Sequence, residues 1–113
     1  MAATWGYNDM VKMIAFVKRK AGLSREEFRR LWVEEHTQLS KVLGMKGYRI
    51  NIALEPQPGD NEPPYDGTAE IWWEDIESMQ AALASPQNEL AAADVSRFAD
   101  VLHVVYTEEF VVI

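Results

Sequence analysis

Apolar residues recur along the chain in two rhythms, a period of two in four stretches and a three-to-four spacing between them. Met10 to Lys18 (MVKMIAFVK) reads as a first strand, with Val11, Met13, Ala15 and Val17 on one face and Ile14 and Phe16 on the other. Apolar residues on both faces predict a strand covered on both sides. After the turn Ala21-Gly22-Leu23, Ser24 and Glu27 have the spacing of a capping box. A helix is expected from Arg25 to Leu43, with Phe28, Leu31, Trp32, Leu39, Val42 and Leu43 on its buried stripe and Gly44 ending it. Lys46 to Leu54 (KGYRINIAL) reads as the second strand, with Tyr48, Ile50, Ile52 and Leu54 on one face. Thr68 to Trp73 is the third. Asp75 caps a helix to Ala84 with Ile76, Met79 and Leu83 inward, and Ser85-Pro86 opens another with Leu90, Ala93 and Phe98 inward. Leu102 to Ile113 is the last strand.

Glu55 to Gly67 (EPQPGDNEPPYDG) breaks the rhythm. It holds four of the five prolines and four acids, and reads as a binding loop, a lid or a mobile excursion. Residues 1–9, with Trp5 and Tyr7, form a weakly patterned leader, and residues 10–113 one domain. The order β-α-β-β-α-β is that of the ferredoxin-like split βαβ, an α+β fold with a four-stranded antiparallel sheet and helices on one face. Ile14 and Phe16, with Phe110, Val111 and Val112, predict that the other face is dry. A homodimer closing sheet against sheet, a dimeric α+β barrel, is the economical solution.

Composition narrows the partners. The chain has 113 residues, enough for one domain. With 11 basic and 18 acidic residues it carries a formal charge of −7 and no basic run, which argues against nucleic acid and anionic lipid. It has no cysteine, so disulfides, thiolate metal sites and a cysteine nucleophile are excluded. Met13 to Val17 is too short to cross a bilayer, and Met1 to Asp9 lacks a basic signal region; a soluble cytoplasmic protein without membrane contact is expected.

The candidate chemistry is sparse. His36 follows Glu34-Glu35 in the first helix. At about 100° per residue it falls about 40° past Trp32, at the edge of the buried stripe, and Glu35 falls nearer the stripe's centre. An imidazole there is a candidate proton shuttle; the plainer reading is a rim histidine on a backbone carbonyl, with Glu35 paired to an arginine. Tyr48 faces the helices and is placed to donate to a developing oxyanion, or is simply a core tyrosine. Glu70 is either a cross-strand partner of Arg49 or a pocket acid with a raised pKa. Trp72 and Trp73 point to opposite faces, one toward Trp32 and one toward the dimer interface. His103 reads as structural. No metal-ligand spacing, phosphate-binding glycine loop or nucleophile elbow occurs.

Three segments carry a family resemblance: Met13 to Asn51, Tyr65 to Pro86 and Ala93 to Ile113. Their most distinctive pieces are SREEFRRLWVEEH, GYRI and YDGTAEIW. The chain resembles the EthD family of dimeric α+β barrels. That family includes accessory proteins of ether-degradation clusters, fungal polyketide dehydratases and a methylmuconolactone methylisomerase, and is similar in fold to cofactor-free polyketide monooxygenases and muconolactone isomerase. The resemblance implies a helix-borne histidine and a strand tyrosine as the working pair, matching His36 and Tyr48. Where the family often has H-x-P-L, this chain reads His36-Thr37-Gln38-Leu39.

The expectation is a cavity between the sheet and its helices. Its catalytic pair would be His36 and Tyr48, and its binding residues Trp32, Glu35, Ile50, Glu70, Trp72 and Trp73. Loop 55–67 would cover the mouth. The ligand would be a small hydrophobic or aromatic molecule, with no cofactor and no metal. A cofactor-free isomerase, dehydratase or monooxygenase, a non-catalytic ligand-binding accessory protein, and a haem-binding barrel are the three functional readings.

Overall fold

The computed structural model describes residues 7–41 and 44–113. The expected roles of Trp5, Val42 and Leu43 lie outside the described residues. The strands are β1 (Tyr7–Arg19), β2 (Gly47–Ile52), β3 (Gly67–Trp73) and β4 (Ala99–Phe110). The first helical stretch is continuous but has three parts: α1 (Arg25–Arg29), a π-helical segment (Arg30–His36) and α2 (Thr37–Ser40). The second helical region has α3 (Ile76–Leu83), α4 (Pro86–Asp94) and a 3-10 turn (Val95–Arg97). The β-α-β-β-α-β order is therefore present, with β1 starting inside the expected leader.

The sheet order is β2-β3-β1-β4, every pair antiparallel. β3 sits between the parallel pair β1 and β2, which is what splits the βαβ unit. Ala15 pairs with Ala69 on one side and Val104 on the other, so the odd-numbered residues of β1 and β3 and the even-numbered ones of β4 share the inner face. The capping signals hold. Ser24, Asp75 and Ser85 each accept from the backbone N–H three residues on, at 3.1, 2.7 and 3.2 Å. Glu27, the far corner of the expected box, instead has Arg30 3.7 Å away.

Core residues Ala15, Val17, Phe28, Trp32, Ala69 and Phe98 pack between sheet and first helix. Trp32 stacks on Phe98 with ring centroids 5.8 Å apart. This packing reaches the backbone at Gly67, where an added Cβ would lie 2.6 Å from the Trp32 ring and 2.8 Å from the Asn51 carbonyl. Gly47 likewise leaves room for the Trp72 ring.

The outer face is not uniformly apolar. Lys12, Glu70, Asn51 and Glu109 form a network around Trp72, with Lys12 donating to Glu109 and, at 3.0 Å, to Glu70. Its Nζ and the Arg49 guanidinium lie 5.0 and 5.2 Å from the Trp72 ring. The Glu109 hydrogen bond outweighs burial and raises the Lys12 pKa, with Glu70 adding to it. Beside the network lie Ile14, Phe16 and Val105.

Gly67→Ala should destabilise the fold by about 1–3 kcal/mol, because a tryptophan ring and a backbone carbonyl must both give way. A urea denaturation midpoint equal to the parent's would show that they can.

Candidate functional site

A cavity of about 210 Å³ lies between the inner face of the sheet and the helices. Its floor is Met13, Ala15, Val17, Ala69, Ile71 and Trp73. The hollow comes from the residues that α4 and the following 3-10 turn present to it: Asn88, Ala91 and Ala92 of α4 and Val95 of the turn, with small side chains at the middle. Leu90 and Ala93, expected to point inward, are both exposed. Ile76 is likewise exposed, and Met79 and Ala82 hold the buried face of α3. Large residues outside and small ones inside leave unfilled space. Leu102, Val104 and Tyr106 of β4 line the cavity yet are 43%, 37% and 54% exposed, so the mouth opens along this strand.

His36 lies in the cavity wall with 7% of its surface exposed. It ends the π-helical segment, whose bonds close on the fifth residue instead of the fourth. Each residue then advances less than the α-helical ~100°. His36 swings back over Trp32 and Glu35 swings out, the reverse of the expected placement of Glu35. Its carboxylate meets Arg30 and Arg97, which hold its pKa low, Arg97 contributing most.

The partner of His36 is Asp94, at the C-terminus of α4, with Nδ1 2.9 Å from Oδ2. Burial raises the Asp94 pKa, but hydrogen bonds from Arg97 and His36 together outweigh it and the net shift is downward. An ionised carboxylate only accepts hydrogen bonds, so Nδ1 carries a proton, and in the neutral ring the lone pair is on Nε2. Nε2 has no hydrogen-bond partner among the described residues.

Tyr48 projects from β2 into the same wall. Ser40 Oγ donates to its hydroxyl at 3.3 Å and lies 3.4 Å from the His36 carbonyl oxygen. Burial raises the Tyr48 pKa, against smaller opposing effects of Ser40 and Trp32. The phenol therefore keeps its proton, and can donate it to an acceptor in the cavity.

Of the expected residues, the fold brings together His36, Tyr48, Trp32 and Trp73. Four lie elsewhere. Ile50 packs in the core beneath the cavity without lining it. Glu70 and Trp72 alternate onto the outer face, where Lys12 and then Asn51 lower the Glu70 pKa, so it is no raised-pKa pocket acid. Glu35 is the fourth. Loop 55–67 contributes nothing to the cavity lining. Asp66 holds its end by accepting from the Arg19 backbone N–H at 2.7 Å, Arg25 donates to Glu62 at 2.8 Å, and Tyr65 meets His103 Nδ1 at 2.7 Å on the outer face. Asp94, Arg97, Ser40 and Asn88 were missed. One signal pointed to Asp94: an acid ending a helix opposes the macrodipole and calls for a cationic or donor partner. Among the described residues, no three His, Asp or Glu side chains gather as a metal site, and no helix is long and apolar enough to cross a membrane.

The EthD domain model matches residues 20–101, a span containing Glu35, His36, Ser40, Tyr48, Asp94 and Arg97. The chain belongs to the EthD domain family. Among solved structures, an EthD family protein from Bacillus halodurans superimposes with a TM-score of 0.75 at 22% identity, covering 89% of this chain and 99% of that one. A dimeric ferredoxin-like protein of unknown function from Bacteroides fragilis gives 0.66 at 13% identity, covering 91% and 99%. The hydroxynitrile lyase of Passiflora edulis gives 0.69 at 16% identity, covering 89% and 94%. These likenesses place the EthD domain in the ferredoxin-like fold. No curated protein matches it by sequence.

Asp94, with its pKa lowered in the folded state, stabilises the fold above its unfolded value of about 3.9, and that contribution disappears as pH falls through the folded value. Asp94→Asn should cost about 1–3 kcal/mol at pH 7, with the gap from the parent narrowing below about pH 4. Urea melts across pH test this; a gap constant from pH 7 to pH 3 would exclude it.

Proposed function

We propose that this EthD domain is a cofactor-free enzyme that removes a proton from carbon next to a carbonyl, or from a phenol, in a small cyclic or aromatic compound. The observation that carries the reading is the buried His36–Asp94 pair in the wall of a mostly carbon-lined cavity. The carboxylate fixes the tautomer, leaving Nε2 as the base. On abstraction the C–H electron pair moves into the carbonyl, the proton goes to Nε2, and Tyr48 donates a hydrogen bond to the enolate oxygen. General-base catalysis of this kind contributes about 10²–10⁴-fold. Return of the proton at another carbon is an isomerisation; expulsion of a hydroxyl from the neighbouring carbon as the enolate collapses to the C=C bond, with the proton on Nε2 passing to it to release water, is a dehydration. Reaction of the carbanion with oxygen is the oxidative outcome. The lyase among the structural neighbours is consistent with reactive chemistry on this fold. The lining has no charged side chain apart from what His36 acquires, which favours an uncharged ligand.

The apolar lining also supports a second reading, a carrier without chemistry. Deuterium exchange at the α-carbon of cyclic ketones and lactones in D₂O, followed by NMR, separates the two. The parent should accelerate exchange, and folded His36→Ala should lower the rate at least about 100-fold, with Tyr48→Phe losing a similar factor. Binding without exchange by the parent would establish the carrier.

The assembly proposed is a homodimer through the outer face of the sheet, where Ile14, Phe16 and the half-exposed Val105 surround the Lys12 network. The Bacteroides fragilis neighbour is described as dimeric. Val105→Arg, on that face and away from the cavity, should turn a dimer into a monomer in sedimentation velocity. A parent that sediments as a monomer would remove the assembly and leave the cavity chemistry standing.

A further inference from the structure

Asp94 does not serve His36 alone. Its Oδ1 accepts from Arg97 Nε at 2.6 Å, and Arg97 Nη2 lies 3.4 Å from the Oδ2 that His36 uses. Arg97 Nη1 donates to Glu35 Oε1 at 3.1 Å, and the other oxygen of Glu35 accepts from Arg30. The result is a line of alternating charge, Arg30, Glu35, Arg97, Asp94, that ends on the imidazole. It runs from solvent to the cavity wall: the Arg97 and Glu35 side chains are 45% and 41% exposed, the Asp94 and His36 side chains 11% and 9%. It also crosses three pieces of the helical layer, the π segment, α4 and the 3-10 turn, so its geometry belongs to the fold and not to one flexible side chain.

We propose that Arg97 is a positioning residue: it clamps Asp94 and neutralises it, so that the cavity histidine is held in place as an uncharged base. This rests on the reading of His36 as the base. A buried carboxylate bonded only to an imidazole draws a second proton onto the ring, and a protonated ring has no lone pair with which to accept a proton from substrate. With the guanidinium on the same carboxylate, the hydrogen bond that orients the ring remains and most of the Coulomb pull is cancelled. Glu35 moderates the clamp by sharing the guanidinium. Among the described residues, the other titratable groups lining the same cavity are the phenols of Tyr48 and Tyr106. The ring of Phe98 packs edge-on against the imidazole, and Ser40 and Trp32 line the same wall without a charge.

The test needs no substrate. The two histidines are titrated by ¹⁵N-edited NMR between about pH 5 and 9, with His103→Gln used to assign them. In full-length Arg97→Met the proton affinity of the His36 ring should rise about tenfold, a modest figure because Arg97 is partly hydrated. Glu35→Gln, which leaves Arg97 wholly to Asp94, should lower it about twofold. Arg97→Lys, which keeps the charge, should stay within about threefold of the parent. A purely structural role for Arg97 does not produce opposite shifts in the two variants. An Arg97→Met midpoint equal to the parent's, or both variants moving the same way, overturns the proposal. Should Arg97→Met fail to fold, Glu35→Gln decides: an unchanged or raised midpoint is the overturning result. If the shifts occur but His36→Ala leaves carbon-acid exchange intact, the clamp stands and the catalytic reading fails.

Discussion

The hydrogen bond between His36 and Asp94 is the interaction on which the arrangement of the helical layer turns. Both side chains are nearly dry, and a buried polar pair left unsatisfied costs far more than the bond contributes when made. The bond ties the end of the π segment to the end of α4, and the edge-on contact of His36 with Phe98, 5.1 Å between ring centroids, carries the tie into the start of β4. The wide turn at Arg30–His36 lets one helix bury an imidazole above Trp32 while exposing the neighbouring carboxylate. An unbroken α-helix would have left the imidazole nearer the rim.

The two faces of the sheet solve different problems. The inner one is almost all carbon and leaves a void under the short side chains of α4. The outer one keeps a lysine nearly buried by giving it two carboxylates and an aromatic ring. Isolated charges on a sheet face destined for burial are costly unless paired. Here the pairs form within one chain, so this face is electrostatically settled by itself; Ile14 and Val105 lie beside the network, and the Phe16 ring packs against Tyr65 at 5.4 Å between centroids.

Much of this was legible in the sequence, for identifiable reasons. Strand alternation put Tyr48 inward and separated Trp72 from Trp73, because the period of two is rigid. The serine and aspartate caps marked helix starts through local chemistry alone. The first helix starts at Arg25, as its cap predicts, and is helical as far as Ser40, but its rotation differs from the expectation: nothing in RLWVEEH announces a π turn, whose smaller advance per residue moves Glu35 out of the wall. On α4, Leu90 and Ala93, expected inward, both face solvent: the buried side is set by Ala91, one position on from Leu90, and the small side chain there leaves the cavity open. Asp94 was missed because its partner is far away in sequence, and a pairing between separate helices has no local signature. The loop after β2 was read as a cover for the mouth from its prolines, whereas its anchors, Asp66 and Tyr65, draw it to the first turn of α1 and to the outer face.

The unroofed inner side of β4 has a bearing on selectivity. A pocket closed all round sorts molecules by their whole volume. Here His36 and Tyr48 lie in the inner wall, while Leu102, Val104 and Tyr106 form an oily doorstep open to the surroundings. A guest need fit only by its head; a long tail can trail out over that sill. Under the proposed chemistry, recognition rests on the guest's head alone, and changes to the doorstep would alter the length of tail tolerated.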